Sequence, residues 1–247
     1  MSDNLYTRTE MLIRPESMQR LKAMHVLVVG LGGVGGSAAE MLCRSGVGRL
    51  TLVDSDVVSP SNINRQLIAF QHTVGQPKTL LFAERFKDIN PDCDVRTVTE
   101  FLRDETMVRL LESEHFDYVV DAIDTLSPKV FLLYHAHRLG LPVVSSMGSA
   151  GKVDPALVRI SDIAKSHTCP LAAMVRKRLR RLGVSDGITV VFSTEQVDPL
   201  AVAEEPSTNK RTTIGTISYL PVVFGCFCAS VVIRSVQSNL PLSNSES

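Results

Sequence analysis

The 247-residue chain has no C-x-x-C pair anywhere. Its five cysteines (Cys43, Cys93, Cys169, Cys226 and Cys228) are odd in number and widely spaced, in a chain too long to need disulfide staples, which points to a reducing, cytoplasmic compartment. The one close pair, Cys226 and Cys228, lies in an apolar run without a second pair or a nearby histidine to complete a tetrahedral site, which argues against a structural zinc. Net charge is missing too, because 26 Lys and Arg balance 26 Asp and Glu. A chain so balanced exerts no global pull on nucleic acid, and any RNA partner would need a local basic patch. There is no internal repeat and no low-complexity tract. Residues 1–10, with Asp3, Arg8 and Glu10 ahead of any apolar run, do not read as a secretory signal.

With 44% hydrophobic and 21% charged residues, the composition suits a globular protein with one large core. Apolar, β-branched runs recur at His25–Gly30, Arg49–Asp54, Asp94–Thr99, Asp117–Asp121 and Leu141–Ser146. Helical patterns fall between them, at Gly33–Ser45, Gly75–Ile89, Asp104–Glu112 and Pro128–Leu139. Alternation of this kind predicts an α/β fold, a doubly wound and mostly parallel sheet with crossover helices. After Gly151 the rhythm changes to a strand at Leu157–Ser161, a basic helix at Pro170–Leu182, a strand at Thr189–Ser193 and a polar loop at Asp198–Thr213. The expected organisation is therefore a Rossmann-like core over residues 1–153 and an α+β extension over 154–247, packed as one unit.

Residues 212–233 carry no charge, which is long enough to raise a membrane span. Gly215, Ser218 and Pro221 interrupt the first part, so a buried helix is the expected reading and membrane association through 212–233 the alternative.

The strongest local signal is Gly30-Leu31-Gly32-Gly33-Val34-Gly35, which follows the first strand and opens a helix. In that context Gly30, Gly32, Gly33 and Gly35 let the backbone approach a phosphate at the positive end of a helix. The second strand ends at Asp54, where a carboxylate binds ribose hydroxyls. Together these fit NAD, FAD or ATP. Downstream lie Asp54-Ser55-Asp56, Asn62-Ile63-Asn64-Arg65-Gln66 and Gly75-Gln76-Pro77-Lys78. Arg65 and Lys78 converging on the glycine turn would neutralise a triphosphate and the charge that develops during attack on phosphorus. Asp121-Ala122-Ile123-Asp124 ends the fourth strand at the sheet edge where doubly wound folds bind ligands, and Asp124 offers oxygen ligands for Mg²⁺ shared with the phosphates.

In this order the segments resemble the adenylation domain shared by ubiquitin-activating enzymes and the bacterial activators of thiamine and molybdopterin sulfur carriers, over roughly Tyr6 to Val153. The resemblance implies adenylation of a carboxylate, with attack on the α-phosphorus of ATP and loss of pyrophosphate. It places Gly32 and Gly35 at phosphate, Asp54 and Asp56 near ribose, Asn64, Arg65 and Lys78 on phosphate, with Gln66 and Asp121 in the same site, and Asp124 on Mg²⁺, leaving open a monovalent cation beside it. It also implies a homodimer in which an early arginine, here Arg8, reaches the neighbouring subunit's nucleotide.

Residues 161–165, 170–173 and 191–195 are similar to a narrower branch of that family, tRNA-modifying dehydratases that cyclise threonylcarbamoyladenosine beside the anticodon. That chemistry needs no enzyme thiol, and Cys169, between Thr168 and Pro170, reads better as a packing residue. The segment from Lys165 to Arg181 supports RNA on its own account, since Lys165, Arg176, Lys177, Arg178, Arg180 and Arg181 occur with no acidic residue among them. Lys165, Glu195 and His167 stand as options for a base in ring closure. Two departures from the branch bear on the substrate pocket: residues 145–151 are less glycine-rich than expected and the 198–213 loop is shorter. The rival activities are adenylation of a ubiquitin-like sulfur carrier and a nucleotide-binding scaffold for a cysteine desulfurase or sulfur-acceptor system; a nicotinamide enzyme ranks last.

Overall fold

The computed structural model describes residues 4–204 and 212–237. Seven strands form one sheet: β1 (His25–Val29), β2 (Arg49–Val53), β3 (Asp94–Val98), β4 (Tyr118–Asp121), β5 (Val143–Ser146), β6 (Val158–Asp162) and β7 (Thr189–Ser193). Their order is β3-β2-β1-β4-β5-β7-β6, parallel throughout except for β6, which runs antiparallel to β7 at one edge. Among the described residues eight α-helices accompany it: α1 (Thr7–Ile13), α2 (Pro15–Ala23), α3 (Gly33–Ser45), α4 (Lys78–Ile89), α5 (Asp104–Ser113), α6 (Leu126–Arg138), α7 (Pro170–Arg181) and α8 (Tyr219–Ser235).

The near-continuous apolar strands are explained by burial on both faces, because successive side chains point to opposite sides. Val26 and Val28 of β1 face a core built from α3, α4 and α8, with Leu42, Phe82, Phe86 and Phe224. Leu27 and Val29 face the other core, under α5, α6 and α7, with Met107, Leu132, Leu133 and Val175. The residues beyond 154 thus add β6 and β7 to the same sheet and lay α8 along α3. That last contact is very close. A β-carbon on Gly225 would lie 2.5 Å from the Val34 carbonyl oxygen, so only glycine lets α8 seat there.

Several expectations need correction. The helix expected from Gly75 begins at Lys78, because Gly75 has φ +87° and Pro77 caps the helix. The helix expected from Pro128 begins two residues earlier, at Leu126. The described residues of the 198–213 loop are largely regular, since β8 (Val202–Glu204) pairs with β9 (Thr212–Ile214); residues 205–211 lie outside the described ones. Helices α1 and α2 had no sequence signal strong enough to read, since α2 buries only Met18 and Leu21. The uncharged stretch divides into β9, a turn and α8, and no helix among the described residues is long and apolar enough to cross a membrane.

Candidate active site

The loops leaving β1, β2, β4 and β5 open on the carboxyl edge of the sheet, and the winding reverses between β1 and β4, where doubly wound folds bind their ligands. Gly30 makes that crevice narrow. With φ +90° its Cα passes so close to the β4 turn that a β-carbon would meet the Ala122 carbonyl oxygen at 2.7 Å. The turn then delivers Gly32 as N-cap of α3, without a side chain to occupy the orphan amides of the first turn.

Not every glycine of the motif faces that space. Gly33 packs against Pro221 and the Arg65 carbonyl, and Gly35 against the Gly30 carbonyl and the Ala122 methyl, so both are buried and their α-carbons serve close packing. Gly30 and Gly32 are the two that stay partly open.

Asp54 ends β2 and organises the turn opposite. Its Oδ2 accepts the Leu31 amide at 2.6 Å and its Oδ1 accepts the Asp56 amide at 2.8 Å. Burial pushes the Asp54 carboxyl above the usual aspartate value, with the Lys78 charge and these amides pulling it back. Lys78 opens α4, and its Nζ donates to Asp56 Oδ2 at 2.9 Å. The lysine is only 5% exposed and the aspartate 68%, so the ammonium is held in place while its counter-ion remains open to exchange.

The 59–66 loop is self-braced. Ser59 and the buried Asn62 form a capping box, Arg65 Nη1 donates to the Ser61 carbonyl at 2.8 Å and to Asn64 Oδ1 at 2.9 Å, and Asn64 Nδ2 donates to the Thr216 carbonyl at 2.9 Å. Asn64 therefore spends its amide on fixing Arg65 and the segment before α8. Gln66 is buried with its Nε2 3.7 Å from where a Gly32 β-carbon would sit, and its Oε1 has no partner among the described residues. A buried amide left unsatisfied beside a glycine turn marks a place for a hydrogen bond supplied by a ligand.

Asp121 and Asp124 part company. Asp121 is fully buried, and its carboxylate accepts Lys129 Nζ at 2.5 Å, Ser145 Oγ at 2.6 Å and the Ile123 amide at 3.1 Å. With every oxygen engaged inside the fold it fixes the β4 turn and does not reach a nucleotide, which corrects its assignment to the binding site. Lys129 went unnoticed in the sequence because it interrupts an otherwise apolar helix like any surface lysine would. Asp124, three residues on, is exposed at the crevice. No cluster of three or more metal-ligating side chains exists among the described residues. One carboxylate beside nucleotide phosphates nevertheless suits Mg²⁺, which keeps several waters and takes few protein ligands.

Arg8 lies elsewhere. Tyr6 and Met18 pack at Gly46, the C-cap of α3, and Tyr6 Oη donates to Asn90 Oδ1 at 2.8 Å. The glycine turn is at the other end of this 13-residue helix, about 20 Å away, beyond the reach of an arginine two residues from Tyr6. The exposed Arg8 therefore does not serve the crevice of its own chain.

The basic segment is also divided. Arg176 is half-buried, donating to the carbonyl and Oγ of Ser166 at 2.7 Å each, so it braces the loop before α7 and is not part of an open basic face. Lys165, Lys177, Arg178, Arg180 and Arg181 are exposed. Arg178 Nη1 reaches Ser127 Oγ at 2.8 Å, in the first turn of α6 and three residues from Asp124. The basic face thus borders the crevice.

Of the three options for a base, Glu195 has both oxygens taken by the Val153 and Asp154 amides at 2.9–3.1 Å. Lys165 is exposed, and His167 turns its Nδ1 to Thr168 Oγ1 at 3.0 Å with its ring against Phe192. Cys169 is 2% exposed.

A family model described as the ThiF family matches residues 6–246. The chain is 44% identical over 200 residues to a Bacillus subtilis tRNA threonylcarbamoyladenosine dehydratase, covering 81% of this chain and 78% of that one. It also superposes on the Escherichia coli tRNA N6-threonylcarbamoyladenosine dehydratase in complex with ATP, with a TM-score of 0.85 and 34% identity over 94% of this chain and 93% of that one. The same E. coli enzyme in complex with AMP gives a TM-score of 0.84, again at 34% identity and with the same coverage.

Proposed function

The chain belongs to the ThiF family, and on that premise we propose that it uses ATP to dehydrate threonylcarbamoyladenosine in tRNA, closing a ring through an adenylated carboxylate. One observation carries this reading: the likeness to the dehydratases continues past the nucleotide crevice, through the exposed basic face of α7 that borders it. A sulfur-carrier activator would share the crevice, but this chain has no C-x-x-C pairs for zinc, and its Cys169 is buried.

ATP lies across the glycine turn, with its phosphates at the amides that open α3 and its ribose at Asp54. Asp54 accepts ribose hydroxyls with the lone pairs its backbone amides leave free. Lys78 exchanges Asp56 for phosphate, and Arg65, held on its own loop by Ser61 and Asn64, adds a second positive charge. Asp124 would hold Mg²⁺, which when bound neutralises charge on the departing pyrophosphate. The substrate carboxylate attacks the α-phosphorus and pyrophosphate leaves. A ureido nitrogen then attacks the acyl carbon, the bond to AMP breaks, and the nitrogen's proton is lost. Phosphate and acyl oxygen gain negative charge in these steps, which Lys78, Arg65 and the α3 amides offset. Lys165, Lys177, Arg178, Arg180 and Arg181 hold the tRNA backbone, and Arg178, through Ser127, ties that face to the Asp124 turn.

Arg8, stranded from its own crevice, completes the site of a second subunit in a homodimer. Its placement at the far end of α3 supports this.

The test is mass spectrometry of anticodon-loop nucleosides after incubation with ATP, Mg²⁺ and tRNA carrying threonylcarbamoyladenosine, under mild handling that preserves a labile ring. An ATP-dependent loss of one water is expected. No mass change, with pyrophosphate exchange appearing only on addition of a Gly-Gly-terminated carrier protein, would transfer the function to sulfur-carrier activation.

A further inference from the structure

Lys152 is a buried cation at the sheet's carboxyl edge that the proposed reaction does not use, and unlike the buried Lys78 and Lys129 it has no carboxylate partner within ion-pair distance among the described residues. It is 3% exposed. Its Nζ donates to the Gly148 carbonyl at 3.0 Å. Burial pushes the ammonium below the usual lysine range, and the nearby Cys169 and Glu195 pull it back. A charged group held in the interior without a counter-ion is costly, so what it fixes there matters.

What it fixes is a peptide plane. The turn after β5 is pinned at both ends: the Met147 amide donates to the Val191 carbonyl at 2.7 Å, the Gly151 amide to the Gly215 carbonyl at 2.8 Å, and Tyr219 Oη to the Val153 carbonyl at 2.8 Å. Between these anchors the Gly148 carbonyl points inward to Lys152. No peptide bond among the described residues is cis, so the Gly148–Ser149 plane carries its N–H antiparallel to its C=O. The Ser149 amide therefore points away from the interior, from a segment that is half-buried, and it has no acceptor among the described residues. Cys169 Sγ closes the other side, 3.7 Å from where a Gly148 β-carbon would stand.

The direction is informative because of the register. Asp121 pairs with Ser145 across β4 and β5, so the loops that carry Asp124 and Gly148 leave neighbouring parallel strands at the same edge of the sheet. The amide sits on a loop leaving the sheet edge that carries the crevice, beyond β4 from the glycine turn that follows β1. That is where the acyl part of an adenylate would lie.

Resting on the function proposed above, we infer that Lys152 is a positioning residue: it holds the Gly148–Ser149 peptide so that the Ser149 amide donates to the carboxyl oxygen of the substrate as the acyl adenylate forms and collapses. Any other change that freed this peptide to rotate would weaken the same step, whereas ATP binding, made by the other loops, would be left alone.

Gly-Ser occurs twice in the sequence, at Gly36–Ser37 and Gly148–Ser149. Labelling glycine carbonyls with ¹³C and serine amides with ¹⁵N therefore gives two correlations, of which the first, inside α3, serves as an internal control. Lys152→Met should move the Gly148–Ser149 signal and leave the other in place. The same variant should bind ATP as the wild type does, lose about 10²-fold in kcat for water loss from modified tRNA, and be partly rescued by Lys152→Arg. An unmoved signal, an unchanged kcat, or an equal loss of ATP affinity would overturn the inference. A wild-type protein that leaves the modified nucleoside intact would overturn the function itself, and the inference with it.

Discussion

Lys129 Nζ lies 2.5 Å from Asp121 Oδ2, and neither side chain is exposed. The pair is closed by Ser145, so the ends of β4 and β5 and the start of α6 are tied at one point beneath the crevice. Lys129→Met removes the cation and leaves a buried carboxylate with fewer partners, which should cost about 3–5 kcal/mol in urea unfolding. Replacing both members with apolar residues should cost less than the single change, because no unpaired charge remains. If the single variant is as stable as the wild type, the pair does not brace the site.

Lys78→Met keeps the buried stem and deletes the charge. We expect kcat/KM for ATP to fall by about 10² or more while the urea midpoint changes little. Asp124→Ala, at an exposed position, should likewise abolish ATP consumption with a stability change within about 0.5 kcal/mol. Normal turnover in either variant would remove that residue from the site.

Arg8→Ala and Lys78→Met should each be nearly inactive alone. In a heterodimer, the Lys78→Met subunit lends its Arg8 to the intact Lys78 of the other, restoring one site in two. Equal mixing after subunit exchange should therefore recover about a quarter of wild-type turnover. No recovery would mean that Arg8 does not act across subunits.

Reversing Lys177, Arg180 and Arg181 to glutamate should weaken tRNA binding and flatten its salt dependence, by about 0.7–0.9 in slope for each phosphate no longer neutralised. Arg176→Ala should behave differently, lowering stability through the freed Ser166 while the salt slope changes little. An unchanged slope in the triple variant would move the RNA footprint off α7.

Burial holds the Lys152 ammonium below its ordinary value of 10.5. At pH values between that lowered value and 10.5 the unfolded chain binds the proton more than the folded one, so stability from this group rises with pH across the window. Subtracting unfolding curves of Lys152→Met from wild type at several alkaline pH values should show wild type gaining. Parallel curves would mean that Lys152 titrates normally.

Much of this was legible in sequence because it is local. Strands β1, β2, β4, β5 and β7 show as apolar runs, since burial on both faces demands them, while the edge strand β3 shows only by its valine and threonine residues; the glycine turn, Asp54, Lys78 and Asp124 stand at fixed offsets from strand ends. The start of α4 was misplaced because Gly75 and Pro77 look helical only if their backbone angles are ignored.

Partnership was not legible, because it depends on which distant groups the fold brings within hydrogen-bonding range. Asp121 and Asp124 have the same side chain three residues apart, yet one is sealed against Lys129 and Ser145 and the other faces the crevice. Arg176 and Arg180 belong to one basic run, and only the bonds to Ser166 separate a brace from an open charge. The inward turn of Lys152 onto the Gly148 carbonyl has no signature in the sequence at all. Residue order determined the strand–helix rhythm and the kind of chemistry, because periodicity and spacing follow from backbone geometry; tertiary packing decided which charged groups remain available for it, because burial and pairing are set by neighbours remote along the chain.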